Sequence, residues 1–341
     1  MKPNHKTNRF LSLARYGTLS VVFTAQSVHF AAAAVIDKAN NMNALNLTSS
    51  WTGAIVPGPN DVAEWSFTVA GTNTSALGAD LAFKGISLGS PGGAVTIAPG
   101  NVLTLGTSGI DLSFSSEDLT IDSGLALAGG GQSWNVPFGR TLTLGIGNFA
   151  HSSGSALGIV NDGTIVASMP GLVNTNSIIG PWAKIVTAGT PAYATLSGSN
   201  LVGLVGTTSG FNWTTTNNNT FNYDVSGTST NIGINRVANT VRYTGVVATQ
   251  NYGSNGTATV TLNGLMNAGT GAITLSEAGM TNQGQIAIGT NNNNELVLDA
   301  ASANIVINIP IINTGVNAGS LLVTGSNTVA ITSSGGASTY T

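Results

Sequence analysis

The side chains suited to chemistry are sparse in this chain, and the densest group is acidic: Asp111, Glu117, Asp118 and Asp122. Carboxylates that converge can exchange protons with a substrate or hold Ca²⁺ through their oxygens. Beyond the first 34 residues there is one histidine, His151, in the turn-like run Phe149-Ala-His-Ser-Ser-Gly154. A zinc site needs several such ligands and a Ser-His-Asp triad needs a positioned acid, so its expected role is structural or solvated. Cysteine is absent, which removes disulfides, thiolate metal sites and cysteine nucleophiles together. Gly92-Gly93 and Gly129-Gly-Gly131 have neither a lysine nor a helix behind them and are turn glycines, not a phosphate loop. Asp-x-Asp-x-Asp-Gly loops and nine-residue calcium repeats are also missing. Among the tryptophans, Trp134 alternates into a core position, while Trp182 and Trp213 are the candidates for exposed, ligand-stacking faces. The expectation is no catalytic residue, no cofactor and no metal.

Which of these residues meet depends on the elements that carry them. From Phe83 to Leu144 the apolar residues come as short apolar–x–apolar bursts, the mark of strands with one buried face. They are Ile86-Ser-Leu88, Val95-Thr-Ile97, Leu103-Thr-Leu105, Ile110-Asp-Leu112, Leu119-Thr-Ile121, Leu125-Ala-Leu127, Trp134-Asn-Val136 and Leu142-Thr-Leu144. Every third burst recurs after 22 to 24 residues: Leu88 to Leu112, Ile97 to Ile121, Leu105 to Leu127, Leu112 to Val136, Ile121 to Leu144. Three short strands per coil of about 23 residues predict a right-handed parallel β-helix, a solenoid whose coils stack and hydrogen-bond along the axis. A sandwich would also give closely spaced strands, but strands this short, with small turns and no long hairpins, favour the solenoid. On such coils Asp111 and Asp122 fall on different sides, Asp111 stacks with Val136, and Glu117 lies about one coil from Arg140 as an exposed pair. That pair contributes at most about 1 kcal/mol.

The expected organisation is a leader at 1–34, an N-terminal cap at 35–80, regular coils at 81–167, an irregular loop-rich β region at 168–243, and coils again at 244–341. The irregular region gathers Trp182, Phe211, Trp213, Phe221 and Tyr223, and the strand pattern returns with Ala258-Thr-Val-Thr-Leu262. No segment shows a capped 3.6-residue period, so helix is minimal. Asn217-Asn-Asn219 and Asn291-Asn-Asn-Asn294 read as turns, with asparagine also able to stack in ladders between coils.

Residues 1–15 are basic without an acid, residues 16–30 are moderately apolar, and Ala31-Ala-Ala-Ala34 follows. This is the layout of a cleavable secretory signal, with cleavage expected near Ala32–Ala34. The apolar stretch is short for a membrane anchor and is interrupted by Thr24, Gln26, Ser27 and His29. No later transmembrane helix is expected. Charged residues are 7% of the chain, and of ten basic residues four stand in the leader, leaving six against thirteen acids. Without clustered Lys and Arg, nucleic acid is not an expected partner.

The run from Ser320 to Thr341 resembles the autotransporter-associated β-strand repeat, through Val323-Thr-Gly325, Val329-Ala-Ile331 and Ser338-Thr-Tyr-Thr341. Trp51-Thr-Gly, Pro57-Gly-Pro-Asn-Asp61, Gly180-Pro-Trp182, Arg242-Tyr-Thr-Gly245 and Asn263-Gly-Leu-Met-Asn-Ala-Gly269 resemble segments of long exported members of that kind. The resemblance implies the N-terminal part of a surface-displayed β-helical passenger. Membrane attachment would run only through a C-terminal barrel or sorting tail beyond Thr341. The expected function is a non-catalytic structural or adhesive passenger, extracytoplasmic, at the cell surface or outer membrane or secreted. Its partners would be extracellular polysaccharide or other cell-surface material. The alternatives are a polysaccharide lyase or hydrolase using the acidic cluster, or a carbohydrate-binding module stacking sugars on Trp182 or Trp213.

Overall fold

A computed structural model describes residues 34–204, 218–232, 235–252, 258–277, 284–314 and 318–332. Nearly all of the leader, Phe211, Trp213 and the closing Ser338-Thr-Tyr-Thr341 lie outside these residues. The chain is an all-β solenoid of about 11 turns. Among the described residues the two helical elements are the single 3₁₀ turns Thr48–Ser50 and Thr52–Ala54.

The coil spacing becomes strand register residue by residue. Ile97 pairs with Ile121, Ile121 with Leu144, and Leu105 with Leu127, all in parallel. One face runs through Val62–Ser66, Gly130–Val136 and Ser155–Asn161; a second runs through Val95–Ile97, Leu119–Ile121 and Thr141–Leu144. Gly124–Leu127 and Phe149–His151 belong to the third. Inside, side chains form rows one coil apart. Ile86, Ile110, Trp134, Ile159 and Ile185 follow one another in register, each at most 1% exposed. The stack begins at Val35–Asp37, within the expected cap, and Trp51 closes its end edge-on to Trp65 and Phe83. Acidic and amide side chains tie successive coils at the corners. Asp80, Asp118, Asn235 and Asn304 accept the backbone N–H of Val102, Thr141, Thr259 and Thr328, at 2.8, 2.8, 3.0 and 3.0 Å. The 22- to 24-residue separation of these pairs is the coil length again.

Within the irregular region at 168–243 the parallel stacking is interrupted. Strand Ala183–Thr187 joins the first face in parallel, but the chain then reverses into Thr190–Ser197 and again into Asn200–Gly203, both antiparallel. The physical cause is the two-residue link Ala188-Gly189, with φ of 48° and 78°. Positive φ at both central residues makes a tight hairpin, whereas a solenoid corner must carry the chain onward. The meander ends the first stack. A second begins with Asn218–Val225, Ser229–Ile232 and Arg236–Tyr243 and continues in parallel to Val329–Ile331. It has its own core, including Val241, Leu265, Ile286 and Leu298. An amide ladder runs through it: Asn239 donates to Asn222 at 2.9 Å, and Asn263 donates to Asn239 at 3.1 Å. Ladders of this kind were expected at the asparagine runs; this one uses isolated, buried asparagines instead.

The second stack lies against the outer side of the first face of the first stack, and the stacking directions are opposed. Its early strand Arg236–Tyr243 meets Tyr193, whose hydroxyl donates to the Val241 carbonyl at 3.3 Å. The later strand Glu295–Ala300 reaches Lys184 and the Ser153–Gly154 turn. Strand Ser320–Gly325, later still, touches Ser155–Asn161, one coil before Ala183–Thr187. Gly131, Ser133 and Gly158 line a gap between the two stacks, with Thr324, Gly325 and Ser326 on its other side.

Candidate functional site at the break in the first stack

The expected site residues do not come together. Asp111 closes the first face, where its Oδ1 accepts from the Ser113 N–H at 2.9 Å and from the Ser113 hydroxyl. Glu117 and Asp118 precede the second face, and Asp122 follows it. Asp111 pairs with Asn135, not Val136, a register one residue from the expected one. Arg140 takes Asp118 as its carboxylate partner, at 3.9 Å, rather than Glu117. The reason is local: the Asp118 carboxylate already accepts the Thr141 N–H and so stands beside Arg140. His151 is on a strand rather than in a turn, and its Nε2 meets the Ser155 carbonyl at 3.0 Å. Burial lowers its pKa, with the Ser155 carbonyl and Glu295 acting the other way.

Trp182 is not an exposed platform. It is 7% exposed and stacks on His151 with ring centroids 4.0 Å apart, and on Phe149 at 6.1 Å. It covers the third face where the next coil would have stood. Gly180, at φ 155°, makes this possible, since a Cβ there would lie 2.0 Å from the Trp182 Nε1. Trp213 lies outside the described residues.

What the structure does assemble is a cavity of about 870 Å³ at the corner where the first stack breaks off. The turn Asn161-Asp162-Gly163 forms one side, and the Thr187–Thr190 hairpin and Val202–Leu204 form another. Phe138 and the pair Asp224–Arg242 complete it. The size is that of a small-molecule site. Most of the wall is apolar, from Ile185, Ala192, Val202, Leu204 and Phe138, and a few polar groups are set into it.

Those polar groups are well defined. Asp224 and Arg242 are cross-strand partners in register, and the guanidinium grips the carboxylate with two bonds, Nε to Oδ1 at 2.8 Å and Nη2 to Oδ2 at 2.6 Å. A third arm, Nη1, reaches the Pro191 carbonyl at 3.2 Å and so ties the second stack to the meander. Asp162 is exposed at the mouth. Asn161 is 9% exposed, and its Oδ1 has no hydrogen-bond partner among the described residues. A buried amide oxygen left unpaired costs about 1–3 kcal/mol. Asn161 pairs in register with Val136, so it occupies a row that is apolar in the coils before it. Sequence reasoning passed over Asn161, Asp162, Asp224 and Arg242. The available signal was a polar residue 25 positions after Val136, where the row calls for an aliphatic one.

Beside the cavity the two stacks are clasped by charge. Lys184 Nζ lies 2.8 Å from Asp299 Oδ1, with side-chain exposures of 18% and 4%. Burial raises the Asp299 pKa and Lys184 pulls it back down. Glu295 Oε1 accepts from the Ser153 hydroxyl at 2.9 Å and the Gly154 N–H at 2.8 Å. Among the described residues no three of His, Cys, Asp and Glu gather as a metal site, and no helix is long and apolar enough to cross a membrane. Compared with protein-family models, curated proteins and solved structures, the chain matches none.

Proposed function

We propose that this chain is an exported, non-catalytic structural and adhesive scaffold of a cell surface, of the autotransporter-associated β-strand repeat kind. The observation that carries the reading is the doubled solenoid: two stacks with separate cores, clasped side by side by Lys184–Asp299 and Glu295. Such a body presents long faces of hydroxyls and amides and has few titratable groups to spare for chemistry. The acidic cluster lends no support to a lyase or hydrolase, because its four carboxylates stand at separate points of one coil. The leader sequence supports export, and the strands Ser320–Gly325 and Val329–Ile331 occupy coil positions where the repeat resemblance begins.

The test is expression of the full chain in a bacterium with an outer membrane, followed by mass spectrometry of its N-terminus and a polysaccharide turnover assay. The expected product starts near Val35, is recovered outside the cytoplasm and cleaves no polysaccharide. An uncleaved cytoplasmic product, or turnover, would overturn the proposal.

A further inference from the structure

The corner that ends in the cavity carries a second unusual feature. Phe67, Phe114 and Phe138 are 83%, 80% and 89% exposed. Single exposed apolar residues are ordinary, but these three share one row. Ser66 pairs with Gly89, Ser87 with Asp111, Asp111 with Asn135, and Val136 with Asn161. Counting on from those pairs puts Phe67, Ser90, Phe114, Phe138 and Gly163 at the same corner of successive coils. The Ser90 hydroxyl donating to the Phe114 carbonyl at 2.5 Å agrees with that register. Strands within a sheet are about 4.8 Å apart, so the phenylalanines span roughly 14 Å of the corner. Phe138 also lines the cavity, so the row leads into it.

We propose that this corner and the cavity bind a neutral polysaccharide, with chain units lying along the phenylalanine row and one unit seated in the cavity. A sugar ring presents an apolar C–H face and a hydroxyl edge, and the site offers a partner for each. Phenylalanine rings and aliphatic walls suit the faces. The exposed Asp162 carboxylate accepts hydroxyl protons. The charge of the lining argues for a neutral polymer: two carboxylates face one guanidinium, and that guanidinium is already held by Asp224 in a two-bond grip. An anionic chain would meet Asp162, and Arg242, the one cation of the cavity lining, is already held by Asp224. A nucleic acid would need clustered basic residues to displace its counterions. The proposal rests on the scaffold reading only in placing the chain outside the cell, where such polymers are met.

The test is affinity electrophoresis of the purified full chain through gels containing a β-glucan, an α-glucan, a mannan or a polyuronate. Oligosaccharides of the strongest polymer then serve for calorimetric titration. At least one neutral polymer should retard the protein, and the polyuronate should not. Two variants locate the site. Phe114→Ala with Phe138→Ala, and separately Asp162→Ala, alter exposed side chains, so neither should lower Tm. Each should raise the Kd at least tenfold. No retardation by any neutral polymer, strongest retardation by the polyuronate, or full affinity in both variants overturns the proposal. New reducing ends in the mixture would overturn the non-catalytic reading while leaving the binding site in place.

Discussion

Replacing Lys184 by Met tests whether the two stacks are held together by charge. Methionine keeps the apolar stem, so the loss is mainly the ammonium. Asp299 is 4% exposed on its side chain and its ion-pair partner is Lys184 at 2.8 Å. Removing one member of a buried pair costs about 3–5 kcal/mol; since Lys184 keeps 18% exposure, the low end, about 3 kcal/mol, is expected at pH 7. In a chain of this size that corresponds to a fall in Tm of roughly 4–5 °C if unfolding stays cooperative. The pH dependence carries the sign. Burial holds the Asp299 carboxyl above its ordinary value of 3.8, with Lys184 acting the other way. Its shift therefore favours the fold at pH below 3.8 and loses that contribution as pH rises through the folded pKa. Without Lys184 the folded pKa climbs further, so the variant's deficit should be largest near neutrality and shrink as the carboxyl protonates. Denaturant unfolding followed by circular dichroism at several pH values measures this. Adding Asp299→Asn to the variant should recover most of the loss. A deficit under about 0.5 kcal/mol, one equal at all pH values, or a double variant no better than the single one would refute the electrostatic clasp.

Val136→Asp would bury a carboxylate at a position with 0% exposure and should cost several kcal/mol, read as a large drop in Tm. Asn239→Ala interrupts the Asn222–Asn239–Asn263 ladder and leaves buried amide groups unpaired. It should cost about 1–3 kcal/mol by denaturant titration and loosen hydrogen-exchange protection in the second stack first. Asp118→Asn keeps an oxygen for the Thr141 N–H and loses only the exposed contact with Arg140, so its stability should stay within about 0.5 kcal/mol of the parent, with little response to salt.

The strands and their register were legible because both signals are local and repeated. Ile97, Ile121 and Leu144 announce a buried face by alternation and a coil by their spacing, and the structure pairs them in that order. The reversal after Thr187 was less visible. Its cause is one pair, Ala188-Gly189, and alanine rarely takes positive φ, so the turn does not stand out among many Gly-rich links. The fold-back was not legible at all. Its contacts, Lys184 with Asp299 and Glu295 with Ser153–Gly154, join positions more than a hundred residues apart in the chain. The burial of Trp182 has the same origin, since it depends on His151 and Phe149 one coil earlier, a neighbourhood set by tertiary stacking.

A solenoid also changes where a site should be sought. Translation along the axis repeats each environment, so selection for stability fills a row with one kind of residue: Ile86, Ile110, Trp134, Ile159 and Ile185 are such a row. A side chain that departs from its row gains nothing from the stack and must be explained by something outside it. Val136 keeps to the apolar rule of its row, and Asn161 breaks it at the coil where the stack ends and the cavity opens. Phe114 and Phe138 break the complementary rule, apolar where a corner faces water. The two departures meet at one place, which singles out the ends of broken rows, rather than acidic clusters along the coil, as the informative positions in a chain with so few charges.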